Sequence, residues 1–437
     1  MRTKTDCKQP IIHFIISLLL TMVCSGCITT VQVPSPRHTG GDWIPSDSVF
    51  TRYLQQERLH ITHNNEMKLL ASGSAKFTSL FDDIRKAKHH IHLEYFNFRN
   101  DSIANTLFDL LAEKVQEGVK VRAMFDAFGN MSNNRPIRQP MMERLRAKGI
   151  EIVTFDPIRF PWVNHVASRD HQKIVVIDGH IGYTGGMNIA DYYINGLPEI
   201  GEWHDMHLRL EGPAVEDLQR MFLTMWNKET HQQVDGTGFF PFTEASTYQA
   251  APRQSGRQVA ILQRRPNKAP ATIRHAYIAA MDAAEHSIRI INPYFTPTVS
   301  IRRAIRRAVR RGVRVDIMIP GKSDIPFTPD AAFYIANRLR KAGAHVYVYN
   351  GGFHHSKTMT VDGRFCTVGS TNLNARSLRY DYEVNAFIMD LPLTDELDRL
   401  FDHDRQNSTV LTRDTYRQRG HWKRFVGWFA HLFTPVL

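Results

Sequence analysis

The chain has 437 residues, of which 42% are apolar and 22% are charged, so it can form two or three globular domains with substantial cores. Lysine and arginine outnumber aspartate and glutamate by 55 to 43, which indicates an anionic partner, either nucleic acid or acidic lipid. Only four cysteines occur, and three of them lie within the first 27 residues. This excludes a disulfide framework and a zinc site built from several cysteines.

The N-terminus combines a basic start with a short apolar run. Residues 11–23 carry almost no polar side chain and follow three basic residues, a pattern typical of an export signal. The run is shorter than the about 20 residues needed to span a bilayer. Cys27, preceded by Ser-Gly, resembles the lipidated residue of a bacterial lipoprotein, although Cys24 stands where such sites usually carry leucine. The alternative is an uncleaved anchor that extends to Ile28, and both interpretations attach residues 1–27 to a membrane.

A linker and then an alternation of helices and strands follow. Residues 28–48 are rich in proline, serine, glycine and threonine, which predicts the linker. Apolar spacing predicts helices at 75–88 and 102–117 and strands at 90–98, 119–125 and 149–153. Helices and strands in this order predict an α/β fold.

The second half of the chain repeats the first. The segment around Gly118 recurs around Gly312, an offset of 194 residues (312−118). Two homologous α/β halves are the simplest explanation. We therefore predict a first half at 49–230, a polar connecting segment at 231–257 and a second half at 258–412.

Two later segments have the pattern of helices that contact a membrane. Residues 301–313 place apolar side chains on one helical face and six arginines on the other, so the basic face is either solvated or in contact with anionic headgroups. Residues 413–437 place basic residues beside an aromatic face, which fits an interfacial helix better than a helix docked on the core. That face contains Trp422, Phe425, Phe429, Leu432 and Phe433.

A short motif that occurs twice is the strongest signal in the chain. The first copy is His171, Lys173, Asp178 and Asn188, and the second copy is His355, Lys357, Asp362 and Asn372. In both copies the asparagine follows the lysine by fifteen residues (188−173 and 372−357). A histidine and a lysine two residues apart share one side of a strand, and the Asp-Gly pair predicts the turn that ends it. The duplication predicts one active site assembled from both copies.

The residue types of the two copies suit a phosphodiester. Lys173 and Lys357 supply positive charge and hydrogen-bond donors, and the amides of Asn188 and Asn372 with the hydroxyl of Ser370 add neutral donors. Such donors stabilise the charge that nonbridging oxygens gain when phosphorus is attacked. Because the lysines supply the charge, we predict neither a metal nor a cofactor.

The two histidines can take opposite roles because imidazole titrates near neutral pH. One attacks phosphorus as a neutral nucleophile, and the other protonates the leaving alcohol and later acts as a base. Such a nucleophile needs an acid on its second ring nitrogen, a role that we assign to Asp205 and Glu383 after the two motifs. Asp178 and Asp362 are predicted to be mainly turn residues with an indirect catalytic effect. Residues 89–92 contain three histidines that look like a metal cluster, but a strand would separate them onto two faces.

With its duplicated His-x-Lys-x4-Asp motif, the chain resembles the phospholipase D superfamily, and within it the bacterial cardiolipin synthases. The resemblance runs from about residue 50 to the C-terminus. The stretches that carry it are residues 169–173, 185–189, 211–213, 293–295, 319–322 and 385–387. It implies two α/β sandwich halves, related by a pseudo-twofold axis, that share one active site.

The same resemblance implies an activity and partners. The activity would be transfer of a phosphatidyl group between two phosphatidylglycerol molecules, with cardiolipin and glycerol as products. By analogy, His171 would be the nucleophile and His355 the acid/base. The expected partners are an anionic phospholipid and a bacterial membrane surface, without nucleic acid. Many members begin with two transmembrane helices, whereas this chain has one short apolar segment. If Cys27 is lipidated, we expect the catalytic domain outside the cytoplasm.

Three other functions remain compatible with these residues. A hydrolase that releases phosphatidic acid would differ only in the access of water to the phosphatidyl-histidine. A nuclease would also use the basic charge, although a lipid anchor argues against it. A membrane-binding scaffold without activity would have no need for every catalytic residue in both copies.

Overall fold

A computed structural model describes residues 44–159, 168–242, 257–266, 271–325 and 328–434. The predicted export signal, Cys27 and most of the predicted linker lie outside the described residues. Within those residues, no helix combines the length and the apolar character that crossing a bilayer requires.

The first half alternates helices and strands. Its strands are β1 (Glu66–Leu70), β2 (His90–Tyr95), β3 (Lys120–Asp126), β4 (Glu151–Phe155), β5 (Ile174–Ile177), β6 (Ile181–Gly185), β7 (Glu202–His204) and β8 (His207–Glu211). Its helices are α1 (Ser46–Gln56), α2 (Gly73–Lys86), α3 (Ser102–Gln116), α4 (Ala127–Ser132), α5 (Gln139–Ala147), α6 (Tyr192–Asn195) and α7 (Ala214–Thr230). The elements predicted at 75–88, 90–98, 102–117, 119–125 and 149–153 are confirmed, with shifted bounds.

The second half has the same alternation. Its strands are β9 (Gln258–Arg264), β10 (Ser287–Ile291), β11 (Arg314–Pro320), β12 (His345–Tyr349), β13 (Gly352–His354), β14 (Thr358–Val361), β15 (Phe365–Gly369), β16 (Glu383–Met389) and β17 (Ser408–Val410). Its helices are α8 (Thr272–Ala283), α9 (Val299–Arg310), α10 (Thr328–Arg340), α11 (Leu391–Gln406), α12 (Arg413–Gln418) and α13 (Gly420–Ala430). A π-helical turn spans Arg376–Tyr380 and a 3₁₀ turn spans His431–Phe433.

Side-chain caps set the starts of two helices in the first half. The Ser72 side chain accepts a hydrogen bond from the Ala75 N–H, and the Asp101 side chain accepts one from the Ala104 N–H. Each cap satisfies an amide that has no partner within the helix. Helix α2 therefore begins at Gly73, two residues before the apolar spacing becomes visible.

Each half builds a mixed sheet with the same strand order. The first sheet runs β1-β8-β6-β5-β2-β3-β4, and the second runs β9-β16-β15-β14-β10-β11-β12 with β17 added at its edge. Strands β2, β3 and β4 are parallel, as are β10, β11 and β12, and the other neighbours are antiparallel. The predicted fold class of two homologous α/β halves is confirmed.

The sheets are covered on both faces. All six residues of β2 are buried. One core packs the first sheet against α2 and α3, with Phe77 and Leu107 among its buried residues. A second core joins the two halves and contains Leu218 of α7, Leu208 of the first sheet and Ile388 of the second. The halves therefore share apolar interior.

Two short pairings connect the halves next to the motifs. Strands β7 and β13 pair in parallel, which sets Trp203 opposite Phe353 and His204 opposite His354. An isolated bridge joins Asp170 to Tyr382. The segments that precede β5 and β14 therefore each lie against the opposite half.

The two helices predicted to face a membrane are both present. In α9, Arg307 forms an ion pair with Asp282, which neutralises part of the basic face. Helix α13 packs closely on α10, since a Cβ atom added at Gly427 would lie 2.4 Å from the Asp330 carbonyl oxygen. Exposed side chains on and just after α13 are Trp422, Phe425, Trp428, Phe429, Leu432 and Phe433.

Candidate active site

Both motifs lie at the same edge of their sheets. Lys173 immediately precedes β5, whose first residue pairs with Glu94 near the end of β2. Lys357 immediately precedes β14, whose first residue pairs with Ile291 at the end of β10. Loops at the carboxyl ends of parallel strands commonly carry functional residues in open α/β sheets. Strand topology therefore delivers both motifs to the edges where such sites form.

The backbone of each motif is held by the other half. The His171 N–H donates to the Tyr382 carbonyl oxygen at 3.0 Å, and the His355 N–H donates to the His204 carbonyl oxygen at 2.6 Å. The two contacts are related by the same pseudo-twofold symmetry as the sheets. One site is thus built from both copies of the motif.

Each imidazole contacts a carboxylate from the opposite half. His171 Nδ1 lies 3.0 Å from Glu383 Oε1, and His355 Nδ1 lies 2.7 Å from Asp205 Oδ2. Both acids are the residues predicted from the sequence as orienting groups, and each contacts the histidine of the opposite half, which the sequence does not indicate. A carboxylate on Nδ1 fixes the ring so that Nε2 faces the substrate side.

Small residues make room for these carboxylates at equivalent positions. The Ser370 hydroxyl donates to Glu383 Oε2, and the Val384 N–H donates to Ser370 Oγ at 3.0 Å. The equivalent of Ser370 in the first half is Gly186, where an added Cβ atom would lie 2.2 Å from Asp205 Oδ1. Any larger residue at Gly186 would displace the acid that contacts His355.

The two lysines point at their neighbouring motif histidines. Lys173 Nζ donates to the His171 carbonyl oxygen at 2.6 Å and lies 5.5 Å from the centre of the Phe96 ring. Lys357 Nζ lies 3.1 Å from His355 Nε2 and donates to the His355 carbonyl oxygen at 2.5 Å. Both ammonium groups are buried beside the imidazoles, where they can bind an anion.

The two asparagines are buried with unsatisfied carbonyl oxygens. Among the described atoms, Asn188 Oδ1 and Asn372 Oδ1 have no hydrogen-bond partner. Buried polar atoms are rarely left without partners unless a ligand or water satisfies them. Lys76, which the sequence analysis missed, donates to the carbonyl oxygens of Met187 and Asn188 at 3.2 and 2.9 Å. Its position on the apolar face of the predicted helix at 75–88 was the available signal.

The two motif aspartates lie at the far ends of β5 and β14. Asp178 accepts hydrogen bonds from the N–H groups of Lys88, His89 and His90, at 2.8 to 2.9 Å. Asp362 accepts three equivalent bonds from residues 285–287. Both residues have positive φ, 52° and 53°, as expected for the turn. They fix the start of β2 and β10 rather than contact the imidazoles.

Burial and neighbouring charges give the two imidazole–carboxylate pairs different pKa values. Burial, followed by the charge of Lys173, holds the pKa of His171 well below its usual range. Burial also raises the pKa of Glu383 to about 8, although Lys173 opposes the shift. Burial alone would raise the pKa of Asp205, but Lys357 and His355 outweigh it and hold that pKa below its usual value. Asp205 therefore stays ionised at neutral pH, whereas Glu383 holds its proton more readily.

An Arg169 ion pair supports the first motif. Its guanidinium Nε lies 3.0 Å from Asp126 Oδ2, and both side chains are fully buried. The same Asp126 oxygen accepts the N–H of Asp170 at 2.9 Å. Arg169 adjoins the motif in the sequence, but nothing there identified Asp126 as its partner.

A group of histidines directly behind His355 has the composition of a metal site. One atom each of His204, His354 and Asp404 lie within 4.8 Å of one another. The rings of His204 and His354 stack at 4.4 Å with 19° between their planes. Stacked rings direct their lone pairs in parallel and not at one point, so we interpret this group as packing fixed by the Asp404 contact.

The three histidines at 89–92 look like a metal cluster in the sequence. Two of them, His90 and His92, both contact the side chain of Gln219.

Comparison with known proteins connects this site to a family. Residues 80–226 and 277–405 match the family described as cardiolipin synthase, PLD-like domain. A cardiolipin synthase from Oceanobacillus iheyensis is 36% identical over 396 residues, which cover 91% of this chain and 80% of that protein. The major cardiolipin synthase of Bacillus subtilis is 36% identical over 378 residues, which cover 86% of this chain and 76% of that protein.

A solved structure shares the fold. The family matches also cover both copies of the motif. The phosphatidylserine synthase from Haemophilus influenzae has a TM-score of 0.66 at 16% identity, over 89% of this chain and 100% of that chain. One family match contains His171 and the other contains His355. The chain therefore belongs to the cardiolipin synthase family of phospholipase D-like phosphatidyltransferases.

Proposed function

We propose that the enzyme transfers a phosphatidyl group from one phosphatidylglycerol molecule to another, with cardiolipin and glycerol as products. The observation that carries the proposal is the pair of imidazole–carboxylate contacts, His171 with Glu383 and His355 with Asp205, beside two buried lysines. The relatives named cardiolipin synthase support the choice of lipid.

In the first step, His171 Nε2 attacks phosphorus. A P–N bond forms while the P–O bond to the glycerol headgroup breaks, and His355 gives its proton to the departing oxygen. Lys173 and Lys357, with the amides of Asn188 and Asn372, hold the nonbridging oxygens as their charge increases. The product of this step is a phosphatidyl-His171 intermediate and free glycerol.

In the second step, a hydroxyl of the second phosphatidylglycerol attacks the intermediate. The new P–O bond forms as the P–N bond to His171 breaks, and the hydroxyl proton passes to His355. His171 is then neutral again and His355 is protonated, as both were when the first step began on the bound lipid.

The electrostatics support this assignment of roles. The low pKa of His171 keeps its ring neutral, as a nucleophile requires. Burial, followed by Lys357, lowers the pKa of His355 to about 4 before substrate binds, while the ionised Asp205 opposes this. A bound phosphodiester adds negative charge beside His355 and raises its pKa, which favours the protonated form when a proton is needed.

Product analysis in phosphatidylglycerol vesicles tests the function. We expect wild type to give cardiolipin and free glycerol in equal amounts, detected by mass spectrometry and a glycerol assay. Phosphatidic acid as the main product would identify a hydrolase instead, since water would then take the place of the second lipid. Cleavage of DNA at a comparable rate would favour a nuclease.

Two substitutions test the roles of the histidines. His171→Ala should lower turnover by at least about a thousandfold, because the nucleophile is lost. His355→Ala should also lower turnover strongly, because no acid protonates the departing glycerol and no base activates the second alcohol. With a phosphatidyl ester of p-nitrophenol, whose departing oxygen needs no proton, this variant should accumulate a phosphatidyl adduct on His171, detected after quenching at alkaline pH, where a P–N bond to histidine survives. The matched control is His345→Ala, since His345 lies exposed on β12 and should leave turnover unchanged. An intact rate in His171→Ala would contradict the mechanism.

We further propose that the enzyme works at a bacterial membrane surface, attached through residues 1–27. The export-signal pattern of that segment and the exposed aromatic residues at the C-terminus support this.

A further inference from the structure

The two motif imidazoles are each covered by an aromatic ring, but the rings differ chemically. Phe96 lies edge-on to His171, with ring centres 5.0 Å apart and 66° between the planes. Tyr294 lies in the same way against His355, at 5.8 Å and 79°. Each motif imidazole therefore has an aromatic neighbour, and only the ring beside His355 carries a hydroxyl group.

The Tyr294 hydroxyl binds an acid at the surface of the site. It donates to the Asp324 carboxylate, with oxygen–oxygen distances of 2.7 and 2.9 Å. Asp324 is exposed in the loop after β11. Lys322 fixes this loop to the other half, because its Nζ donates to the Ile200 carbonyl oxygen at 3.0 Å. An ionised carboxylate has about four acceptor positions, so Asp324 can accept further hydrogen bonds.

The His171 side of the site has the opposite character. Helix α4 packs against Phe96 and presents Phe128, which is 39% exposed. The Arg376 guanidinium lies 5.9 Å from the Phe128 ring centre, and its charge acts on His171. This side offers apolar surface and positive charge, which suit a phosphate that carries acyl chains.

We propose that Tyr294 and Asp324 form the binding site for the glycerol headgroup, on the side of His355. This inference rests on the proposed function, in which His355 protonates the departing glycerol and deprotonates the arriving one. A carboxylate accepts hydrogen bonds from neighbouring hydroxyls of a polyol and repels a phosphate group. Asp324 therefore directs the neutral end of phosphatidylglycerol to His355 and its phosphate to the lysines.

The proposed glycerol site is tested by the competition between alcohol and water for the phosphatidyl-enzyme, since the alcohol gives cardiolipin and water gives phosphatidic acid. In phosphatidylglycerol vesicles, Asp324→Ala should lower the ratio of cardiolipin to phosphatidic acid about tenfold, as for the loss of a hydrogen bond to a charged group. Tyr294→Phe should lower it by about threefold, because the carboxylate remains but is less well held. The KM for free glycerol, measured in the reverse reaction with cardiolipin vesicles, should rise by similar factors. The ratio is set after the intermediate forms, so a general loss of activity does not change it.

An exposed carboxylate far from the motifs in sequence provides the control. Asp109→Ala removes an exposed carboxylate on α3 that pairs with Lys148, and it should leave both the ratio and the glycerol KM unchanged. A ratio within about twofold of wild type in Asp324→Ala would overturn the proposal, even if total turnover fell, since Asp324 would then only support the loop. If wild type itself gave phosphatidic acid alone, the proposed function would fail before any variant was compared.

Discussion

At the scale of single residues, burial sets the charge of the site. Burial lowers the pKa of Lys173 to about 7 and that of Lys357 to about 8, although Glu383 and Asp205, respectively, oppose the shifts. An ammonium group with such a pKa is charged below it and neutral above it. The two positive charges that we propose for phosphate binding are therefore lost as the pH rises through 7 to 8.

The expected consequence is a fall in kcat/KM on the alkaline side. We expect kcat/KM for phosphatidylglycerol to decrease through the pH range of the two lysine pKa values, because the free enzyme loses both positive charges there. The phosphodiester itself does not titrate in this range. Initial rates at low substrate between pH 6 and pH 10 check this, and a constant kcat/KM over that whole range would contradict it.

The motif residues could be predicted from the sequence because they occur twice. The fixed spacing to Asn188 and Asn372 selected His355 over the neighbouring His354, and the strand after each motif led to Asp205 and Glu383. Lys76 could not be found in this way. Its role depends on two carbonyl groups more than 110 residues away, and its position on the apolar face of a helix indicates burial but does not identify those partners.

At the scale of secondary-structure elements, α13 has one face that packs on the protein and an opposite face that is exposed. Gly427 allows close approach to α10, and Arg419 adds an ion pair with Asp330. The opposite face leaves Trp422 73% exposed and both Phe425 and Phe429 about half exposed. Aromatic side chains beside basic residues are typical of helices that lie in a membrane interface. The predicted interfacial helix at residues 413–437 thus has a defined exposed face, whose contact with a membrane can be tested.

We expect this face to bind anionic vesicles. In a chain that begins at residue 44, the triple change Trp422→Ala, Phe425→Ala and Phe429→Ala should weaken binding to phosphatidylglycerol vesicles by at least about tenfold. The reason is that the variant no longer has the apolar ring surface that wild type buries in the membrane. Vesicle co-sedimentation at fixed salt measures the change. Wild type should bind phosphatidylcholine vesicles more weakly, since these lack the charge that attracts Lys423 and Arg424.

The control uses exposed apolar residues elsewhere. Leu391 and Val410 are 53% and 51% exposed, so Leu391→Ala with Val410→Ala removes exposed apolar surface from α11 and β17 and leaves α13 unchanged. This pair should leave vesicle binding unchanged. Equal binding by wild type and the α13 triple variant would show that another surface contacts the lipid.

At the scale of the whole molecule, the core between the halves couples their stability. Leu218 of α7 is fully buried among residues of both sheets, whereas Leu107 of α3 is fully buried in the core of the first half. Removing atoms from either core leaves a cavity, and its cost depends on what surrounds it. The two positions therefore report on different parts of the fold.

Leu218→Ala should destabilise both halves together. We expect a loss of about 2 to 5 kcal/mol in the free energy of unfolding, with lower hydrogen-exchange protection in β5 and in β16. Leu107→Ala is the matched control, with a similar cost and its largest loss of protection in the first half. A loss confined to the first half in both variants would show that the halves unfold independently.

The two-half organisation could be predicted, but the contacts between halves could not. Repeated segments revealed the duplication, and the strand at 358–361 follows directly from the motif. The partners of His171 and His355 lie 212 and 150 residues away, and local patterns carry no information on such distances. A pairing of each motif with the acid of its own half would have fitted the sequence equally well.

The crossed contacts bear on how such a chain could have arisen. A protein with only one half would have a histidine without its carboxylate, unless two copies met about a twofold axis and exchanged acids. Fusion of two such copies would preserve the exchange and free each copy to change separately. Tyr294 places a hydroxyl group beside His355, whereas Phe96 beside His171 has none, and such freedom allows this difference. Identical subunits would have to treat donor and acceptor alike, whereas a fused chain can assign one side to each.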